Sequence, residues 1–430
     1  MFRNAKALYQ VLHDIKLSKS ERESLVSKRL KSILIASYKY VPYYRKMMQD
    51  ISYDPLKDYT GPEDLAKFPI TTKKDLKTNR ASIFLKENAD TAKLFNDHTS
   101  GSTGMPLKIY RDWNERAFQV AKYLRVLFKN GYSVKDKFLS VSNPTRLGGD
   151  KTILQKFGFI RRLAVSYLLP IPQIVDILLD YKPQVLSGNR SHIDLIALEL
   201  LKREIRPKSL KLVMVGAEII HDNSRNLYKQ AFGLNSIECY GSVEMGLMAY
   251  EISGKQGLHL NEDLTYFEFL DKNGNSVSPG EPGRIVVTDL INKTMPFIRY
   301  DQGDYAITKT FAGTDGKPER RIAKIIGRDD DQVILPDGSI KPCAVFYVIL
   351  HEFQGIMQFR VIQKTKSHFQ VKIAASHSYF NEIYNQIMNY LYNSFPKYCQ
   401  FDLLRVDSIE PDPNGKLRIF ISDLQNPNNQ

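Results

Sequence analysis

The segment Thr99-Ser100-Gly101-Ser102-Thr103-Gly104 combines four hydroxyl residues with two glycines, and Pro106 follows shortly after. Gly101 and Gly104 permit backbone conformations barred to other residues and let a ligand approach the chain closely. Exposed N–H groups and hydroxyl donors in such a loop can cradle phosphate oxygens. A solvated turn has the same composition, so the loop alone leaves both readings open. It is not a Walker loop, because the glycine–lysine spacing of that motif is missing. Two further segments, Gly216-Ala217-Glu218 and Tyr240-Gly241-Ser242-Val243-Glu244, each follow a short apolar run that reads as a strand. Ligands of α/β sheets bind at such carboxyl ends.

The elements that must position these residues alternate between helix and strand. Across 173–241, helices at 174–181, 191–203 and 222–233 separate strands at 185–186, 210–215 and 237–240. That order predicts parallel strands with helices on the faces. Earlier, 20–48 reads as helical until Pro42 interrupts it, and 68–76 as a turn entering a capped helix. The spacing predicts a helix over 114–129, with Ala117, Val120, Ala121, Leu124 and Leu127 as its apolar stripe. From 258 to 310 the pattern changes to strands, at 265–270 and 284–290, around a turn-rich loop. A boundary is expected near Gly327-Arg328-Asp329-Asp330-Asp331. Beyond it come a strand pair (356–363 and 368–375), a helix (379–392) and strands near 401–406 and 417–422. The expected domains are 1–327, α/β, and 328–430, a small α+β unit.

The chain has 430 residues, of which 43% are hydrophobic and 25% charged, an ordinary globular composition with room for two domains. No apolar run reaches the ~18 residues of a membrane span, and the N-terminus carries no secretory pattern. Cys239, Cys343 and Cys399 lie far apart without metal-type spacing, which points to reduced thiols in a cytoplasmic setting. Of the net charge of +14, half the excess falls in residues 1–50, with eleven Lys/Arg against four Asp/Glu. A solvated helical surface explains this, as does peripheral contact with anionic lipid. A single Trp and no RNA-binding motif argue against a nucleic-acid partner.

Taken in order, the motifs resemble those of the adenylate-forming (AMP-binding) ligases. They are most similar to the phenylacetate–CoA ligase-like branch, which includes proteins found with capsular-polysaccharide biosynthesis. The loop 99–106 resembles the family's phosphate-binding loop. Gly216-Ala217-Glu218 and 240–244 resemble its nucleotide-site segments. His259-Leu260-Asn261-Glu262-Asp263 and Pro296-Phe297-Ile298-Arg299-Tyr300-Asp301-Gln302-Gly303-Asp304 follow the branch pattern. Gly327-Arg328-Asp329-Asp330-Asp331 resembles the hinge, and Asn414-Gly415-Lys416 the C-terminal lysine motif. The loop departs from many members at Leu107, where a lysine often follows the proline; here Lys108 comes one residue later.

The resemblance implies a large adenylate-forming α/β domain and a small α+β lid that turns near Asp330, with Asp329 as the rival hinge. It implies ATP and Mg²⁺ as cofactors, with CoA as one acceptor. Asp304 would bind both ribose hydroxyls, Tyr240 would stack on adenine, and Arg328 would reach ribose or phosphate. An ordinary turn aspartate, a core aromatic and a boundary ion pair are their respective bland readings. Glu244 would hold Mg²⁺, or would simply be an acid at a helix N-terminus. Lys416, Glu244 and Thr103 would carry catalysis. A carboxylic acid would be activated as an acyl-adenylate, then passed to a thiol or an amine. An amide-forming ligase acting on a carbohydrate or amino-acid acceptor and a catalytically silent scaffold of a capsule-synthesis complex remain the alternatives.

Overall fold

The computed structural model describes residues 2–14, 16–98, 107–142, 157–220, 222–313, 318–328, 332–351, 353, 355–410, 412 and 417–425. The chain forms two compact units. One comprises residues 1–133 and 238–325, the other residues 134–237 and 326–430. The fold is mixed α/β, with a small α+β C-terminal part.

In the first unit, antiparallel neighbours run from Thr265–Leu270 through Pro282–Asp289 to Tyr300–Ala312. Leu258–Leu260, Gly246–Tyr250 and Ser236–Ser242 extend the antiparallel ladder on the other side of Pro318–Arg328. The helix Lys19–Tyr40 starts at a capping box in which Ser18 and Glu21 satisfy each other's backbone donors. Pro42 ends that helix and also opens the next, Pro42–Asp50, at the first position, where a missing N–H costs nothing. Thr72 and Asp75 form a second capping box ahead of Lys73–Thr78, as the sequence predicts.

The helix Trp113–Lys129 departs from its expected stripe. Ala117, Ala121 and Leu127 are buried, whereas Val120 and Leu124 are only partly so. Glu115, Gln119, Lys122 and Arg125 are buried in their place. The N-terminal helix Phe2–Asp14 sets Ala7 and Val11 against Ala117, Ala121 and Leu264, which accounts for its apolar face.

In the second unit, Arg162–Ser166, Phe138–Ser142, Val185–Asn189 and Leu212–Gly216 are parallel neighbours. The parallel sheet therefore begins well before the expected segment. Phe138–Ser142 is buried along nearly its whole length and shows no alternation to betray it. Helices Ile171–Tyr181, Arg190–Lys202 and Asp222–Phe232 contribute Ile174, Ile193, Ile196, Leu200 and Tyr228 to its core. The C-terminal part has its own four-stranded sheet, ordered Gln400–Val406, His368–Ala374, Gln358–Thr365, Phe420–Ser422. The helix His377–Ser394 lays Phe380, Ile383, Ile387 and Leu391 into a core that includes Phe346, Phe369 and Phe420. No helix among the described residues is long and apolar enough to cross a membrane.

Candidate active site

The strand Ser236–Ser242 and the strand Gly246–Tyr250 are joined by a tight turn, Val243-Glu244-Met245. Glu244 is thus in a hairpin turn, and the helix N-terminus that would have explained an acid there is absent from this segment. Its side chain is buried, and the Tyr300 hydroxyl donates to its Oε1 at 3.2 Å. Among the described residues no lysine or arginine side chain forms an ion pair with it. Ser242 Oγ accepts the Met245 N–H at 3.1 Å, closing the turn.

Three successive carbonyls of the turn end on buried cations. Arg111 Nη2 donates to Val243 O at 2.7 Å and to Glu244 O at 2.6 Å. Lys122 Nζ donates to Met245 O at 3.0 Å. Burial pulls the Lys122 ammonium below its ordinary value, with Asp289 opposing the shift. Gly246 leaves the turn at φ +68°, and an added Cβ would stand 1.6 Å from Gln119 Oε1. Gly246→Ala should lower unfolding free energy by about 1–3 kcal/mol, checked by urea titration against the parent protein.

Tyr240, partly exposed, donates its hydroxyl to Asp304 Oδ2 at 2.9 Å. Asp304 lies within the strand Tyr300–Ala312, directly after Gly303 at φ +71°. The Gly303 N–H is held by Asp301 Oδ1 at 2.9 Å, and Asp301 in turn pairs with Arg284. The structure therefore brings Tyr240, Gly241, Ser242, Glu244 and Asp304 onto adjoining elements of one unit. Tyr300, to which the sequence assigned no role of its own, joins them.

Other motif residues in this unit, Asn261, Asp263 and Arg299, enter buried polar networks. Arg125 grips both Asp263 oxygens, at 2.8 and 2.5 Å, and Asn261 Oδ1 at 2.7 Å. Arg29 donates to the Asp263 carbonyl and pairs with Asp14. Arg299 forks onto Glu268 and donates to Phe68 O. These buried pairs lock neighbouring strands and loops together.

In the second unit, Gly216 ends a buried strand opposite Asn189, and Ala217 adopts φ +65°. A left-handed alanine is strained, as is common where a loop is shaped for a ligand. Glu218 accepts from Ser191 Oγ at 2.8 Å and Ser191 N–H at 3.1 Å, with Arg190 Nη2 at 3.2 Å. Leu417 N–H reaches Glu218 Oε1 at 3.4 Å. Thr99, Ser100, Gly101, Ser102, Thr103, Gly104, Asp330 and Lys416 lie outside the described residues. The strands flanking the hydroxyl-rich loop, Phe95–His98 and Lys108–Arg111, pair antiparallel with His98 opposite Lys108. Arg328 closes the strand Pro318–Arg328.

Residues 336–423 match the CapK C-terminal domain. A phenylacetate-coenzyme A ligase of Pseudomonas putida is 30% identical over 332 residues, 74% of this chain and 73% of the relative. The chain belongs to the phenylacetate–coenzyme A ligase family. A second phenylacetate-coenzyme A ligase, from Thermus thermophilus, is 25% identical over 87% of this chain and 86% of its own length. Among solved structures, a 2-hydroxyisobutyryl-CoA ligase in complex with R3-HIB-AMP aligns with TM-score 0.78 at 18% identity, over 95% of this ligase and 90% of that chain. ATP-bound MatB from Rhodopseudomonas palustris aligns with TM-score 0.53 at 15% identity, over 77% and 68%. Those two likenesses show the fold. This chain is an adenylate-forming ligase.

Proposed function

We propose that this ligase activates a carboxylic acid with ATP and passes the acyl group to a thiol, with CoA as the acceptor. The observation that carries the reading is the Tyr240–Asp304 pair together with the Tyr300–Glu244 pair, two tyrosines and two carboxylates suited to a nucleotide and its metal. In the first step a carboxylate oxygen attacks the α-phosphorus and the bond to the bridging oxygen breaks, releasing pyrophosphate. In the second, sulfur attacks the acyl carbon, the bond to AMP breaks, and the thiol proton passes to solvent.

Asp304 accepts the ribose hydroxyls, and its bond from Tyr240 fixes the carboxylate while the Tyr240 ring lies against adenine. The strained Ala217 backbone, with Gly216, lets the nucleotide approach closely, and Arg328 reaches its ribose or phosphate. Thr99 to Gly104 cradle the phosphates, and Thr103 and Lys416 stabilise charge on them as it develops. Glu244 suits Mg²⁺: it is a hard oxygen donor without a competing cation among the described residues, and magnesium commonly takes one carboxylate plus substrate phosphates. Bound there, the ion would neutralise phosphate charge. Residues 1–327 form the adenylation core, and residues 328–430 a lid that turns near Asp330.

A second reading, amide formation on a carbohydrate or amino-acid amine, draws on the CapK C-terminal match at 336–423. On this reading the ligase would act in surface-polysaccharide synthesis. Three free cysteines fit a cytoplasmic location in either case. The basic residues of 1–50 would add contact with anionic lipid, which vesicle pelleting at two salt concentrations tests.

ATP–pyrophosphate exchange with a panel of carboxylic acids, without acceptor, tests the first step and identifies the acid. AMP release with CoA or amino sugars then separates the two acceptors. No exchange with any acid would overturn the activity. Asp304→Ala should weaken ATP binding by ~3 kcal/mol, the loss of two charge-assisted hydrogen bonds, or about a hundredfold. Calorimetric titration of the folded variant measures it, and unchanged affinity would remove Asp304 from the ribose site.

A further inference from the structure

Lys122 and Arg111 are almost completely buried, at 0% and 1% exposure. Taking two cations out of water costs several kcal/mol each, by order of magnitude, before partners repay it. The buried Asp289 carboxylate is a counter-charge to both, but their hydrogen bonds go mainly to backbone: Lys122 bonds Met245 O at 3.0 Å and Thr265 Oγ1 at 3.4 Å. Arg111 bonds Val243 O, Glu244 O and, with its other nitrogen, Asp97 at 3.1 Å. Apolar side chains that replace a whole buried charge cluster often give equal or greater stability, although removing one member alone is costly. Stability alone therefore does not account for them. Their joint effect is geometric. One cation comes from the strand Lys108–Arg111 and the other from the helix Trp113–Lys129, and together they hold carbonyls 243, 244 and 245 in a row. With that backbone pinned, the Glu244 side chain starts from a fixed point and meets the Tyr300 hydroxyl.

We propose that Arg111 and Lys122 are positioning residues that clamp the turn 243–245 and so aim the Glu244 carboxylate at the metal–phosphate site. This rests on the assignment of Glu244 to Mg²⁺. The cations touch neither substrate nor metal; they act through the turn.

The test uses the full chain with α,β-methylene-ATP, whose α–β bond cannot be broken, and Mn²⁺ as a paramagnetic probe for the divalent ion. Lys122→Met keeps the side-chain length and removes the charge. Its thermal midpoint should fall, because Met245 O and the buried Asp289 charge lose a partner, so metal affinity is read on the folded variant well below that midpoint. Its Mn²⁺ affinity in the analogue complex, read by electron paramagnetic resonance, should fall about tenfold, and the Mg²⁺ requirement of pyrophosphate exchange should rise in step. Arg111→Lys retains the charge but reaches one carbonyl where the guanidinium reaches two. It should give an intermediate loss of about threefold, and it carries the test if Lys122→Met does not fold.

Unchanged Mn²⁺ affinity in a folded variant overturns the clamp. So does an equal weakening of metal-free nucleotide binding, which would mean a purely structural role. Glu244→Gln is run alongside. If it too leaves Mn²⁺ affinity unchanged, the metal assignment has failed; if it weakens affinity while Lys122→Met does not, the clamp alone has failed.

Discussion

Lys416→Ala is expected to abolish acyl-adenylate formation while sparing acyl transfer from a supplied synthetic adenylate. In the proposed mechanism the lysine charge serves while the α-phosphate is attacked and pyrophosphate leaves, so its removal should fall on the first half-reaction. Its sequence neighbour has a definite address. Leu417 is buried, and its N–H meets Glu218 Oε1, a carboxylate already oriented by Ser191 and Arg190. The residue after the lysine is thus tied to the strand-end segment Gly216-Ala217-Glu218. Asp330→Pro should do the opposite. Fixing φ at the hinge would favour one lid position, leaving adenylation and slowing transfer. Single-turnover kinetics of each half-reaction in both variants decides the matter. Equal loss of both steps in Lys416→Ala would sink the alternating lid without touching the ligase assignment.

The motif residues were legible because glycine, proline and aspartate carry their conformational reasons with them. Gly303, at φ +71° before Asp304, follows that rule, whereas the hairpin at 240–246 is not expected from the sequence: its acid reads as a metal ligand or a helix N-terminal acid. The contacts that make these residues a site were not legible. Tyr240 and Asp304 are 64 positions apart, and Arg111 reaches Glu244 across 133. No local period reports such pairs. Helix Trp113–Lys129 shows why the periodic reading also mislaid a face. Its apolar stripe was real, but Lys122 and Arg125 turn inward as well, because carbonyls and carboxylates from distant strands receive them. A sequence pattern scores a lysine as solvated unless its partner is known. The parallel strand Phe138–Ser142 went unread for a related reason. A strand buried on both faces has no alternation, and five apolar or small residues do not distinguish it from a loop or a helix end. The short helix Ala344–His351, apolar along most of its length, is similarly silent.

Glu244→Gln should leave the fold intact and raise the Mg²⁺ requirement of adenylation. The amide matches the carboxylate in shape, and its carbonyl oxygen can still accept the Tyr300 hydroxyl that now sits 3.2 Å from Oε1. The turn itself is held through backbone carbonyls, which the substitution does not alter. What disappears is the negative charge, and with it the advantage of an anionic oxygen over a neutral one for a hard divalent ion. Charge-assisted contacts are worth about 1.5–3 kcal/mol, so the half-saturating Mg²⁺ concentration should rise roughly 10- to 100-fold. At saturating Mg²⁺ much of the exchange rate should return, because the nucleotide phosphates would still bind the ion. That recovery separates a ligand from a general base, whose loss extra metal could not repair. Pyrophosphate exchange measured across a magnesium titration gives both numbers. A variant with the parent's magnesium curve would make Glu244 a turn residue whose carboxylate serves only to hold Tyr300.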